Sequence, residues 1–135
     1  MEKKADLTTP GRIGRLELRN RMFQTAMGPN LAEPDGTCGD KTVAFYEARA
    51  RGGAALVNMG AIGIAHPCGM VMRNQVALSD DRFIPGLRRV NRAVQAHGAR
   101  IAAQLQHGGA SSTEDMIAGR PLWVPSIPPA SASVL

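Results

Sequence analysis

The stretch that decides the fold is IPGLRRVNRAVQAHGARIAAQLQHGG, residues 84–109. Its first half repeats apolar side chains at helical spacing from Ile84 to Val94, with arginines on the opposite side, and this pattern predicts an amphipathic helix. Gly98 can end that helix in a tight turn. Residues 100–106 then form an apolar run of strand length, which a glycine pair ends. The stretch therefore predicts a helix followed directly by a buried strand.

The predicted helix begins before this stretch, at Ser79, and extends to His97. Ser79, Asp80 and Asp81 are good capping residues. Pro85 fits the first turn of a helix, where its missing N–H group would have had no partner inside the helix.

A second unit of the same kind lies upstream in DKTVAFYEARARGGAALVNM, residues 40–59. Asp40 can cap a helix that runs to about Arg51. One side of this helix is apolar, with Val43, Phe45, Tyr46 and Ala50. A glycine pair ends the helix, and residues 54–59 predict a second buried strand.

Two shorter elements precede these units. Residues 7–20 predict a β-hairpin, because apolar residues nearly alternate around a turn that Gly14 can form. Residues 21–27 predict a short buried strand that ends at Gly28. Residues 30–39 are rich in proline, glycine, aspartate and asparagine, which is typical of a loop.

The order of elements defines the fold class. Helices that alternate with buried strands predict an α/β fold with a parallel sheet. Long loops after the strands and tight turns before them favour a (β/α)8 TIM barrel with a leading β-hairpin, whose site lies at the carboxyl ends of the strands. A doubly wound sheet is the alternative, but no phosphate-binding glycine motif follows the first strand. From residue 111 the pattern fades, and four prolines between residues 121 and 129 predict an extended loop.

Composition is typical of a soluble globular protein, with 44% apolar and 20% charged residues in a chain of 135. No apolar run is long enough to span a membrane, and no secretory signal opens the chain, so a cytoplasmic location is expected. Cys38 and Cys68 match no metal-ligand spacing, which predicts free thiols and no metal site. Lysine and arginine are spread along the chain, and those in the predicted helices are typical of a solvated face. Without an aromatic platform, the net charge of +5 does not indicate nucleic-acid binding.

Candidate functional residues lie at the predicted carboxyl ends of the strands. Gln104 and Gln106 alternate onto one face of their strand, and their carboxamides suit the imide-like edge of a flavin or a pyrimidine. The same amides could instead tie neighbouring strands together. Gly28 and Gly60 would let a flat ligand approach the backbone, or would simply turn the chain. His107 could be an acid or base, although a structural histidine bonded to backbone is the more common role.

Short motifs in sequence order carry a resemblance to a known family. They are LTTP at 7–10, LRNRM at 18–22, FYEARA at 45–50, GAALV at 53–57, LSDD at 78–81, AHG at 96–98 and QLQHGG at 104–109. Together they resemble the old yellow enzyme family of NADH:flavin oxidoreductases, close to the branch that contains 2,4-dienoyl-CoA reductase and enoate reductases. The resemblance covers nearly the whole chain to about Pro125.

The resemblance implies an FMN-binding barrel. NADH or NADPH would reduce the flavin, and the flavin would pass hydride to an electron-poor alkene of the enoate or enoyl-CoA kind. Carried over by position, Ala26, Met27 and Gly28 would lie along the flavin ring. Gly60 would lie at its O4/N5 side, and Gln104 would hydrogen-bond the pyrimidine edge. Many relatives place threonine or cysteine where Gly28 stands, so a side chain that tunes the flavin potential is missing at this position.

The resemblance also implies that much of the machinery lies elsewhere. A complete barrel typically needs about 250 residues, so residues 1–135 are expected to form only its N-terminal part and to be poorly stable alone. The family's catalytic side chains and phosphate-binding loops come later, which leaves the catalytic residues unknown. The cysteines of an iron–sulfur cluster would occur only in a longer protein.

Two other interpretations stay open. The chain could be an inactive truncated remnant or interaction module that folds only by self-association or with a missing C-terminal half. It could also belong to another barrel enzyme that acts on a phosphorylated metabolite, but no phosphate-binding glycine loop is found at a helix start.

Overall fold

The structure is a computed structural model that describes residues 6–126 of the chain. A two-stranded hairpin is followed by strand, helix, strand, helix and strand, and a short helix comes last. The strands are β1 (Gly11–Ile13), β2 (Leu16–Leu18), β3 (Phe23–Gln24), β4 (Leu56–Gly63) and β5 (Arg100–Gln106). The helices are α1 (Asp40–Arg51), α2 (Ile84–Ala96) and α3 (Thr113–Ile117), with 3-10 turns at Asp81–Phe83 and Gly109–Ser111. In this part of the chain, no helix has the length and apolar character needed to cross a lipid bilayer.

Strands β3, β4 and β5 form a parallel sheet in that order, as the alternation of strands and helices predicts. Phe23 pairs with Leu56, and Leu56 pairs with Arg100, so the strands are in register at their amino ends. Helices α1 and α2 cover one face, where Val57 of β4 and Val90 of α2 are 0% exposed. Burial of one such side chain contributes about 1.5–3 kcal/mol, so this interface, which holds the larger cluster of buried apolar residues, stabilises the fold.

The three predicted strands are present, with one confirmed in its bounds and two corrected. β5 matches the prediction over residues 100–106. β3 is limited to two residues of the predicted 21–27, because β4 alone pairs with it. The strand predicted at 54–59 begins later and continues to Gly63, where β4 still pairs with β5 and also bridges to Ala77.

The first helix has the predicted extent but not the predicted cap. Gly39 is the N-cap of α1, and no side chain caps this helix, so the expectation that Asp40 caps it is wrong. Asp40 is the first helical residue and forms an ion pair with Arg89 of α2. The pair is exposed and contributes little to stability.

The second helix starts later than predicted. A 3-10 turn occupies residues 81–83, and α2 begins at Ile84. Asp80 caps the turn, because its carboxylate accepts the backbone N–H of Arg82 at 2.9 Å. Pro85 lies in the first turn of α2, as predicted.

A short helix follows β5 where the sequence predicts only a polar segment. α3 has 5 residues, which are too few to show helical periodicity. Its buried residue is Asp115, so a tertiary contact rather than an apolar stripe fixes the helix. Residues 121–126 contain no helix or strand, and the remainder of the predicted extended loop, residues 127–135, lies outside the described residues.

One arginine ties the hairpin of β1 and β2 to the α/β unit. The hairpin turns at Gly14, whose φ is 58°. The Arg19 guanidinium donates to the carbonyl of His97 at 2.6 Å. It also donates to the carbonyls of Ala50 and Ala54, at 2.8 and 3.1 Å. A cation therefore lies at the carboxyl ends of both long helices, where the helix dipole favours it.

Replacing Arg19 by alanine is expected to lower the free energy of unfolding by about 1–2 kcal/mol, because these charged hydrogen bonds are lost. Urea denaturation followed by circular dichroism measures the change. Arg15→Ala, in the exposed turn of the same hairpin, is the matched control and should change the free energy by less than about 0.5 kcal/mol. Equal changes in the free energy of unfolding for the two substitutions would show that the Arg19 hydrogen bonds do not stabilise the packing of the hairpin on the α/β unit.

Both cysteines are free thiols, as predicted. Cys38 is buried, and this burial raises the pKa of its thiol to about 11. The thiol is therefore protonated at neutral pH and is a poor nucleophile.

The face of the sheet that is turned away from the helices is open. Phe23 lies on this open face and is 55% exposed. Within residues 6–126, β5 has no partner strand on its outer side, and its Leu105 is 58% exposed. Parallel sheets in α/β proteins are normally covered on both faces. The sheet therefore exposes apolar surface of the kind that such proteins cover.

Candidate functional site

Three of the predicted cofactor-contacting residues lie together on the open face. Gly60 lies on β4 between Ala26, which follows β3, and Gln104 on β5. A Cβ atom placed on Gly60 would lie 2.8 Å from the Cβ of Ala26 and 2.8 Å from Oε1 of Gln104. Any side chain at position 60 would therefore push one of these two neighbours away.

An irregularity in the strand pairing surrounds Gly60. The register of β4 with β5 shifts between Met59 and Ile62. Two residues of β4, Gly60 and Ala61, therefore lie opposite Gln104 alone. Such a bulge bends a strand and re-aims side chains, and bulges are common next to active sites. The result here is that the Gln104 side chain packs against Gly60.

Unpaired amide groups on the open face fit a ligand with hydrogen-bonding edges. The Gln104 side chain is exposed, and it makes no hydrogen bond within residues 6–126. Asn58, two residues before Gly60, has a buried Oδ1 that also lacks a partner in that part of the chain. A carboxamide offers both donors and an acceptor, and buried polar atoms are seldom left unpaired. These residues fit a planar cofactor with an imide edge, such as the flavin of FMN.

The other two predicted residues lie beyond the end of β3. A Cβ atom on Gly28 would overlap the thioether of Met72 and would lie 3.8 Å from the backbone nitrogen of Ala61. Gly28 is thus close to the Gly60 region, and Met72 occupies the space that a side chain at position 28 would need. Met27 is 51% exposed, so its side chain is available to a ligand.

The second glutamine of the motif and the following histidine are bound to protein groups. Gln106 accepts a hydrogen bond at Oε1 from Nε2 of Gln75, at 2.6 Å. His107 accepts the backbone N–H of Gly109 at Nδ1, at 3.1 Å, which supports the structural role for this histidine. Gln75 is buried in the loop after β4 and was not predicted, because no periodic pattern marks a loop residue.

A buried ion pair, which the sequence also did not reveal, fixes the loop after β4. Asp115 is 0% exposed. Its carboxylate accepts the N–H of Gly69 and Nε of Arg120, each at 2.7 Å. Burial raises the pKa of this carboxyl, but the two hydrogen bonds outweigh burial and hold the pKa below its ordinary value. Asp115 is therefore ionised at neutral pH and anchors α3 to the loop.

Sequence comparison relates the chain to known oxidoreductases. The model of the NADH:flavin oxidoreductase / NADH oxidase family matches residues 6–131. A metal reductase from Desulforamulus reducens is 44% identical over 123 residues, which are 89% of this chain and 17% of that protein. An NADH oxidase from Thermoanaerobacter brockii is 35% identical over 126 residues, which are 93% of this chain and 19% of that protein. The chain thus spans less than a fifth of the length of these relatives.

Comparison of structures agrees with the sequence match. Morphinone reductase in complex with tetrahydroNAD is similar with a TM-score of 0.72 and 30% identity, over 81% of this chain and 29% of that chain. The structural neighbours are old yellow enzyme barrels. The described part of this chain is a partial α/β arrangement, which agrees with the predicted α/β class. The chain therefore belongs to the NADH:flavin oxidoreductase family, the family of the old yellow enzymes and of flavin-dependent oxidoreductases.

Proposed function

We propose that this chain builds part of the flavin site of an FMN-dependent NAD(P)H oxidoreductase of the old yellow enzyme type. The observation that carries the proposal is the packing of Gly60 between Ala26 and Gln104, which sets a free carboxamide beside small residues on the open face. Gly60 and Gln104 lie in the carboxyl halves of their strands, where a barrel places its site. When bound, FMN would supply the hydride transfer, which side chains alone cannot perform.

The chain's own residues would bind and orient this cofactor. The Gln104 carboxamide would donate to and accept from the pyrimidine edge of the flavin, because both groups carry N–H donors and carbonyl acceptors. Ala26, Met27 and Gly28 would lie along the ring, where the exposed Met27 side chain would exclude water. Gly60 would lie at the O4/N5 side.

The proposed hydride acceptor is an alkene activated by a carbonyl group, as in enoates and enoyl-CoA thioesters. The family resemblance supports this class, and the similarity to a cinnamate reductase from Clostridium sporogenes, 29% identical over 124 residues, agrees with a reductase function. NADH or NADPH would be the reductant, and the family description itself names NADH.

Residues 1–135 would form the N-terminal part of the FMN-binding barrel. The exposed Phe23 and Leu105 support this arrangement, because further strands and helices would cover both side chains. Those elements would come from a C-terminal half or from a second copy of the chain. An iron–sulfur cluster would need cysteines from a longer protein, and the proposed location is the cytoplasm.

The full chain, completed by self-association or by the C-terminal half and supplied with FMN, is expected to show a bound-flavin absorption spectrum that NADH or NADPH bleaches under anaerobic conditions. Gln104→Leu should weaken FMN binding about tenfold, because hydrogen bonds to the flavin edge are lost. Gln95→Leu, on the exposed side of α2, is the matched control and should bind FMN as the wild type does. Absence of bound flavin would favour the alternative, an inactive interaction module.

A further inference from the structure

A buried glutamine, Gln75, connects a backbone amide to the side chain of Gln106. Gln75 is 1% exposed and lies in the loop after β4. Its Oε1 accepts the N–H of Val71 at 2.9 Å. Its Nε2 donates to Oε1 of Gln106 at 2.6 Å. Both ends of the Gln75 carboxamide are therefore bonded, as expected for a buried polar group.

The backbone N–H of Val71 determines the orientation of the Gln75 carboxamide and, through it, that of the Gln106 carboxamide. Oxygen and nitrogen of a glutamine amide are assigned from their partners. The N–H of Val71 can only donate, so it requires the oxygen of Gln75 and turns the Gln75 nitrogen toward Gln106. That nitrogen in turn requires the oxygen of Gln106. The amide nitrogen of Gln106 is left as the free end of this hydrogen-bond series, and it is a donor.

The free donor lies on the same face of β5 as Gln104. One residue separates the two glutamines on the strand, so their side chains project to the same side of the sheet. Gln106 is the last residue of β5 and is only partly buried. Its amide nitrogen donates no hydrogen bond to any group in residues 6–126. The donor therefore lies at the carboxyl edge of the sheet, where a barrel binds its ligand.

We propose that Gln75 is a positioning residue that holds the NH2 group of Gln106 toward the ligand. The inference rests on the proposed function, because that function places a ligand at this edge. A fixed donor favours a ligand with an acceptor oxygen, such as the carbonyl of an enone. Without Gln75, the Gln106 carboxamide would rotate freely and would present oxygen as readily as nitrogen.

The first test needs no cofactor and uses NMR of the 15N-labelled full chain. The side-chain NH2 protons of Gln75 should exchange slowly with solvent, and those of Gln106 should exchange fast. In Gln75→Leu the order parameter of the Gln106 amide nitrogen should fall, while Gln95→Leu should leave it unchanged. Slow exchange at Gln106, or an unchanged order parameter in Gln75→Leu, would overturn the inference.

The second test measures ligand selection in the FMN-loaded, oxidised full chain, without reductant. Cyclohex-2-enone is titrated, and the flavin absorption reports binding. Gln75→Leu should raise the Kd of the enone about threefold to tenfold, which is the effect of one neutral hydrogen bond, and should leave the Kd of FMN within about twofold. Gln106→Glu replaces the donor by an acceptor oxygen and should raise the enone Kd further.

The two tests separate failure of this inference from failure of the proposed function. Wild-type enone affinity in both variants would overturn the role of Gln75 even if FMN binds normally. A chain that binds no FMN would contradict the proposed function, and the exchange and order-parameter measurements would still decide whether Gln75 orients Gln106.

Discussion

Replacing Asp115 by alanine is expected to lower the free energy of unfolding by about 2–4 kcal/mol. The substitution removes a fully buried carboxylate that accepts the Gly69 N–H and the Arg120 guanidinium. The Gly69 N–H would remain buried without a partner, which is the larger part of the cost. Arg120 keeps 33% of its side chain exposed, so water would solvate its charge and limit the loss. Urea denaturation followed by circular dichroism measures the effect.

Glu114→Ala is the matched control, because it removes the same charge from the neighbouring position of α3 and should change the free energy by less than about 0.5 kcal/mol. The effect of Asp115 should also depend on pH. Its folded-state pKa lies below the ordinary value of 3.8, so its contribution is present above that pH and is lost as the pH falls through the folded-state pKa. The difference between wild type and Asp115→Ala should therefore shrink below about pH 4. A difference that is constant from neutral to acidic pH would contradict this account.

Replacing Gly60 by valine is expected to weaken FMN binding by more than about 100-fold. The Cβ atom alone would lie 2.8 Å from Ala26 Cβ, closer than such atoms approach in proteins, and 3.0 Å from Gln104 Cβ, which is a tight contact. Valine adds two methyl groups to this clash. The proposed ring-contacting residue and the proposed hydrogen-bonding residue would therefore both be displaced. Titration with FMN followed by visible absorption measures the loss.

Ala103→Val is the matched control for this second substitution. Ala103 is an exposed residue of β5 that faces away from Gln104, and it gains the same two methyl groups. It should bind FMN as the wild type does. Gly60→Ala separates misfolding from loss of the site, because its smaller clash should preserve the circular dichroism spectrum while still weakening FMN binding. Wild-type affinity in Gly60→Val would mean that Gly60 does not border the flavin.

The sequence predicts the parts of the fold that local patterns encode. The helix over residues 40–51 and the strand over residues 100–106 follow from apolar spacing and from the glycines that end each element. The cap at Gly39 was missed because an aspartate follows it, and an aspartate is ordinarily the better cap. The end of β4 was missed because pairing with distant strands, rather than its own composition, extends it to Gly63.

In the candidate site, too, residues that a local pattern marks could be predicted, and residues that act through distant partners could not. The motif around Gln104 and the position of Gly60 could be predicted from strand ends and from the family resemblance. Gln75 and Asp115 could not, because each acts through a partner far away in the chain: Gln75 is 31 residues from Gln106, and Asp115 is 46 residues from Gly69. A single polar residue in a loop gives no sign of such a partner, and only the folded chain brings the two together.

The contacts of Arg19 constrain the order in which the molecule can be assembled during synthesis. Its three acceptors lie 31, 35 and 78 residues further along the chain. The hairpin is translated before these acceptors, and the last of them, the carbonyl of His97, emerges from the ribosome only after both long helices have been made. Contacts of such wide sequence separation form slowly, because the entropic cost of closing a long loop comes before the contact contributes any stability. The hairpin is therefore translated before both helices but is among the last elements to dock.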